Sequence, residues 1–155
     1  MLPKKFTELM TIHADRIVAH IAAAIRENPR TSHYHSIPAP EIKKRIMGIF
    51  KNMEHYLEEG DIEAIYELYR RFGRTRYYEG IPLPDLMYAF TLVKHHIREF
   101  IKTHMLSDTA LQLHHELQFL ERTSIFFDDV FYYTISGYQE ALLEEAHKRA
   151  QHPID

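Results

Sequence analysis

The sequence contains no cysteine. Disulfides, thiolate zinc sites, iron–sulfur clusters and cysteine nucleophiles are therefore excluded together. Glycine is scarce, five residues in all, and they spell neither a phosphate-binding loop nor a dinucleotide fingerprint. No G-x-S-x-G motif occurs, and the few serines fall at helix caps or within an aromatic run, so nucleophilic catalysis finds no support. No stretch reaches the roughly 18 uncharged apolar residues of a membrane span. Met1–Leu2–Pro3–Lys4–Lys5 leads into no apolar core of signal-peptide length. The expectation is a soluble, cytoplasmic protein. A net charge of −3 supplies no pull towards nucleic acid or an anionic membrane. Alternating strand patterns and internal repeats are also missing.

What is present specifies an all-α architecture. A chain of 155 residues, 45% hydrophobic and 26% charged, fits a single domain (1–155) that buries roughly 70% of its unfolded surface. All seven prolines (Pro3, Pro29, Pro38, Pro40, Pro82, Pro84, Pro153) fall where a helical pattern starts, stops or is absent. The periodicity predicts a first helix from Lys4 to Asn28 with Phe6, Met10, Ile17, Ile21 and Ile25 on one side. A polar loop follows over 29–39. A second helix runs from Pro40 to Glu59 on the stripe Ile42, Ile46, Ile49, Met53 and Leu57, and Gly60 stops it. Asp61 is placed to cap a third helix, whose stripe is Ile62, Ile65, Tyr69 and Phe72. Gly80 ends that helix, and Pro82, Pro84 and Asp85 suit the first turn of a fourth. Its stripe is the cleanest in the chain: Leu83, Leu86, Phe90, Val93, Ile97, Phe100 and His104. Ser107 then caps a segment from Asp108 to Ala150, which either breaks near Gly137 or forms one long projecting helix. Gly48, Gly73 and Gly137 lie inside helices, where each costs about 1 kcal/mol relative to alanine. Close approach of a neighbouring helix accounts for them, with space left for a ligand as the alternative.

The last helix carries "SIFFDDVFYYTISGY" at 124–138. So many apolar residues cannot share one stripe, and a helix apolar on most sides must be covered on most sides. The reading is a homodimer through this helix, with Phe127, Phe131, Tyr138 and Leu142 as interface candidates. The alternative is a central core helix in a monomer.

Twelve histidines are far more than ordinary usage. His13 and His20 share a side of the first helix, His104 closes the stripe of the fourth, and His96 flanks it. With Phe90, these are candidates to line a pocket between helices. A ferritin-like di-iron site needs two Glu-x-x-His pairs and two further glutamates. The sequence offers one such pair, Glu144 to His147, and the His55/Glu59 and His95/Glu99 spacings are common on solvated helix faces. No metal site is therefore expected. Haem needs one axial histidine in an apolar pocket, which His96 satisfies on spacing, but hydrogen-bonded core and surface imidazoles account for the pattern better and no cofactor is expected. Arg70, Arg71, Arg74 and Arg76 form a basic cluster opposed in sequence by Glu58, Glu59, Asp61 and Glu63. It reads either as a clamp for an anionic partner or as a solvated face held by ion pairs. Without interleaved aromatics or a helix-turn-helix, nucleic-acid binding is not expected.

One resemblance emerges. "FGRTRYYEGIPLPDLMYAF" at 72–90, followed by "LVKHHIREF" at 92–100, resembles the signature region of the N-terminal domain of RsbR-type stressosome co-antagonists. "HADRIVAHIAAAIRENP" at 13–29 and "FKNMEHYLEEGD" at 50–61 are similar to that family's first helices. The likeness spans residues 5 to about 135, and Glu79–Gly80–Ile81–Pro82–Leu83 followed by Ala89 is its most specific part. The resemblance implies a bacterial regulatory input module, all-helical, globin-like and dimeric through its last helix. It supplies no catalytic residues, and since such modules typically precede an output domain, for which this chain has no sequence, the expectation is either a domain that stands alone or the isolated input part of something longer.

The leading expectation is thus a non-enzymatic sensor or protein-interaction domain in which a signal alters the packing of the fourth helix on the last. Protonation of histidines near pH 6 is one such signal. A carrier of haem, metal or a lipid-like molecule between helices, and a purely structural dimerisation module, are the alternatives.

Overall fold

The computed structural model describes residues 4–60, 62–104 and 108–152. Asp61, Ser107, Pro3 and Pro153, each given a boundary role by the sequence pattern, lie outside the described residues. The elements are α1 (Lys4–Glu27), a 3-10 turn (Pro29–Tyr34), α2 (Ala39–Glu59), α3 (Ile62–Tyr78), α4 (Leu83–His104) and α5 (Ala110–Gln151). No strand occurs among the described residues. This is the expected all-α bundle with a long last helix.

The whole expected stripe of α1 is buried, widened by Val18 and Ala22. The helix stops at Glu27 because the Asn28 side chain accepts a hydrogen bond from the Arg30 N–H at 2.9 Å, and Pro29 starts the 3-10 turn. Segment 29–39 is therefore not wholly a polar loop: Thr31 and Tyr34 are buried. The Thr31 hydroxyl donates to the Ile25 carbonyl at 2.6 Å, satisfying an acceptor that the end of α1 leaves open.

In α2 the expected stripe is buried together with Phe50, and Gly60 ends the helix at a φ of 66°, the left-handed region glycine enters cheaply. The α3 stripe is shifted from expectation. Ile65 and Tyr69 are buried, but Ile62 is 36% exposed and the buried line continues through Gly73 and Arg76. The cause is α5. A Cβ on Gly73 would collide with the Thr134 carbonyl, and one on Gly137 with the Arg70 carbonyl. The two helices touch backbone to backbone, so these two glycines are close-approach residues. Gly48 is not, since a Cβ there meets nothing within 4 Å.

The α3–α4 joint closes as a Schellman motif. The Gly80 N–H donates to the Tyr77 carbonyl at 3.0 Å and the Ile81 N–H to the Arg76 carbonyl at 3.2 Å, with Gly80 at a φ of 83°. Pro82 then presents its carbonyl to the Leu86 N–H at 3.1 Å, opening α4. Helix α5 runs unbroken through Gly137 for 42 residues, about 63 Å at the usual rise of 1.5 Å per residue. Its start is capped by Thr109, whose hydroxyl accepts from the Gln112 N–H at 3.1 Å. A three- and four-residue alternation of Phe119, Thr123, Phe126, Val130, Thr134, Gly137 and Ala141 is buried on α5, with Phe127 beside it. Ile21, Ile97, Ile101, Phe119, Phe126 and Phe127 are 0% exposed. Burying each such side chain contributes about 1.5–3 kcal/mol against the conformational entropy of folding.

Candidate functional site

Four of the five residues expected to line a pocket meet in one place. His13 and His20 of α1 face His96 and His104 of α4 across a cleft of about 150 Å³, with Arg16, Ile17 and Phe100 completing its lining. The positions on α1 follow the i, i+3, i+4, i+7 spacing that puts side chains on one helix face. That spacing also admits Arg16, which composition alone did not single out. The His13 ring lies 5.3 Å from Phe100 and 5.4 Å from His104, and Phe100 stacks on His104 at 4.2 Å. His96 Nδ1 sits 2.7 Å from the Leu92 carbonyl and His104 Nδ1 3.1 Å from the Phe100 carbonyl. A carbonyl only accepts, so each Nδ1 carries a hydrogen and Nε2 is the nitrogen left for another partner.

Phe90 is elsewhere. It is 2% exposed and packs in the core against Tyr69, Phe72 and Phe131, with ring centroids 6.3, 5.7 and 5.9 Å away. Six residues separate it from His96, which at 100° per residue turns it well off the cleft. The interface candidates are also mostly committed within the chain. Phe127 is fully buried, Phe131 packs on Phe90 and Phe127, and the Tyr138 hydroxyl donates to the Ile81 carbonyl at 2.7 Å. Only Leu142, 46% exposed, stands at the surface.

No group of three or more histidine, aspartate or glutamate side chains among the described residues is placed to hold a metal ion. The Glu-x-x-His pair is spent on other contacts: Glu144 binds Arg74 at 2.6 Å and His147 meets Gln151 at 2.9 Å. Haem does not fit the histidine cleft, which is smaller than the roughly 300–1,000 Å³ usual for small-molecule sites and lined largely by imidazoles and a guanidinium.

The basic cluster resolves into internal ion pairs with Glu67, Glu79 and two carboxylates of α5, not with Glu58, Glu59 or Glu63. Arg70 binds Glu67 and Glu140, both at 2.7 Å, and Arg74 binds Glu140 at 2.9 Å as well as Glu144. The hydrogen bond from Arg70 holds the Glu67 carboxyl below the usual range, and that from Arg74 does the same for Glu144. Arg76 is different. Its guanidinium lies 4.6 Å over the Phe72 ring, its Nη2 is 3.4 Å from Glu79, and its Nε and Nη1 have no hydrogen-bond partner. Burial, then repulsion from Arg45, lowers its pKa.

The α3–α4 joint is fastened from three sides. Arg45 of α2 makes two hydrogen bonds to Glu79, at 2.8 and 3.0 Å. Tyr138 of α5 holds the Ile81 carbonyl, and His33 of the 3-10 turn donates to Asp85 through its N–H at 3.2 Å and Nδ1 at 2.9 Å. Sequence pattern located the joint but not these fasteners, because Arg45 and Tyr138 lie 34 and 57 residues from their partners.

A second concavity, about 330 Å³, runs between α1 and α2 up to Phe119, with Met10, Met47, Phe50, Met53 and Leu57 in its wall. None of the described helices is long and apolar enough to cross a membrane.

No curated protein and no solved structure matches the chain. The family model for the RsbT co-antagonist protein rsbRD N-terminal domain matches residues 13–152, from the histidine cleft through the joint and its fasteners to the end of α5, and the chain belongs to that family.

Proposed function

We propose that the protein is a non-enzymatic signalling input domain that dimerises along α5 and relays a change at the α3–α4 joint through that helix. The family is one of stressosome-associated regulatory domains. The observation that carries the reading is the unused side of α5. Opposite its buried line, Ile125, Tyr132, Leu142 and Leu143 are 44, 65, 46 and 58% exposed, and Ile125 and Tyr132 are seven residues apart, as in a helix–helix seam. Tyr138 supports the relay: it ties the joint to α5 just beyond the close approach of α3 and α5 at Gly73 and Gly137.

Sedimentation across a concentration series tests the first part. Wild-type protein should dimerise, and Tyr132→Lys or Leu142→Lys should weaken association by about tenfold or more. A wild-type monomer at the highest concentration overturns it. Hydrogen exchange tests the second. Tyr138→Phe should speed exchange at 79–83 and also along 139–151, and a change confined to the joint removes the relay.

The methionine-walled groove between α1 and α2 favours a second reading, an apolar-ligand carrier, because its volume lies within the range of ligand sites and methionine adapts to varied apolar shapes. Saturable binding of a medium-chain fatty acid, lost in Met47→Arg, is the result that reading requires.

A further inference from the structure

The charge inventory of the α1–α4 cleft is unexpected in a chain of net charge −3. Arg16 and four imidazoles line it, and no carboxylate does. The two carboxylates closest in sequence to the lining residues lie elsewhere: Asp15 lines the groove on the other side of α1, and Glu99 pairs with Lys102 at 3.7 Å. From α1 the charged or titratable groups facing the cleft are His13, Arg16 and His20, and from α4 they are His96 and His104. The Leu92 and Phe100 carbonyls already hold the Nδ1 hydrogens of His96 and His104. Each of these rings therefore presents Nε2, an acceptor when the ring is neutral and a donor when it is protonated. With all rings protonated, the polar lining consists of donors and positive charge alone.

We propose that this cleft is a proton-coupled binding site for a small oxyanion, a phosphate or a carboxylate. Arg16 supplies a permanent guanidinium suited to planar or tetrahedral oxygens, protonated imidazoles close around the anion, and Ile17 and Phe100 floor the site. Its volume of about 150 Å³ admits a phosphate or short-chain carboxylate. The same imidazoles would attract a transition metal, but no three ligating side chains among the described residues converge on one point. Anion binding that favours protonated rings takes up protons. Affinity is therefore greatest at low pH and falls as pH rises through the range of about 5 to 8 in which histidine loses its charge.

The inference does not depend on dimerisation, because binding is read on the chain itself. The probe is inorganic sulfate, whose charge is constant over the pH range used, followed by phosphate and acetate, titrated into the intact protein by calorimetry and histidine-ring NMR. Saturable one-to-one binding is expected, about tenfold or more tighter near pH 5.5 than near pH 8, with the ring signals of His13, His20, His96 and His104 moving together. Arg16→Gln should weaken binding at both pH values. A His13→Gln/His104→Gln double variant should flatten the pH dependence, whereas His55→Gln, on α2 and outside the cleft, should leave it intact. Tighter binding of phosphate or of acetate identifies the source, and either outcome supports the site. Binding that does not saturate, that is equal at both pH values, or that survives Arg16→Gln and the double variant overturns the proposal. So does zinc binding at pH 8 that displaces the anion.

Discussion

At the residue scale the three helical glycines separate cleanly. Sequence showed that each sits inside a helix, at a cost, but gave no means to rank them, because the neighbour that explains two of them is far away in the chain. Gly73 and Gly137 face each other's helix backbone, and Gly48 faces open space. Gly137→Ala should destabilise the protein by about 1–3 kcal/mol or more, since backbone cannot yield as a side-chain tip does. Gly48→Ala should stabilise it by about 0.4–1 kcal/mol by restricting the unfolded chain and removing glycine's helix penalty. Urea unfolding of the two variants checks both signs, and the same sign in both contradicts the crossing geometry. The aromatic run gives a similar lesson. Composition marked residues 126–138 as too apolar for one stripe, yet Phe127 is 0% exposed within a single chain. Phe127→Ala should therefore cost about 3–5 kcal/mol in unfolding free energy, a loss that an interface-only residue would not show in a dilute monomer.

At the scale of elements, helix boundaries and stripes were legible because they are local. Five helices, the Gly60 and Gly80 stops and most buried positions follow from spacing and from glycine's left-handed freedom. The pairing of elements was not legible. The α3 arginines find their carboxylates on α5, and the shift of the α3 buried line onto Gly73 and Arg76 is imposed by that partner. The half of the histidine cleft on each helix could be read from periodicity, but only the packing of α1 on α4 brings the halves together. The α3–α5 pairing also has a pH signature. Glu144 of α5 is held below the ordinary carboxylate range, chiefly by a hydrogen bond from Arg74 of α3, and Glu67 is held there by Arg70 within α3 itself. A lowered carboxyl contributes stability that is present above its unfolded-state value and is lost as pH falls through its folded-state value. The melting temperature should thus drop on going from about pH 5 to about pH 3. Glu144→Gln should remove part of that drop, and identical acid profiles for the two proteins would count against the network. Both carboxylates are solvent-exposed, so salt should blunt the effect.

At the scale of the whole molecule, α5 is both a wall of the core and the carrier of exposed apolar residues on its outer side. If its outer face pairs with a second copy, folding and association are linked, and the melting temperature should rise with protein concentration. A melting temperature independent of concentration, with wild type and Tyr132→Lys alike, points to a chain that is stable alone.

The close approach of α3 and α5 at Gly73 and Gly137 has a mechanical meaning for such a rod. In the proposed relay it would serve as a fulcrum, and it divides α5 unequally. From Gly137 the helix extends 27 residues back to Ala110 and 14 residues on to Gln151, or about 40 Å and about 21 Å at 1.5 Å per residue. A tilt about that point moves the start of α5 roughly twice as far as its end and in the opposite direction. In that relay, force applied at the long arm, beside Phe119 and the core, would be delivered at the short arm with a gain of about two.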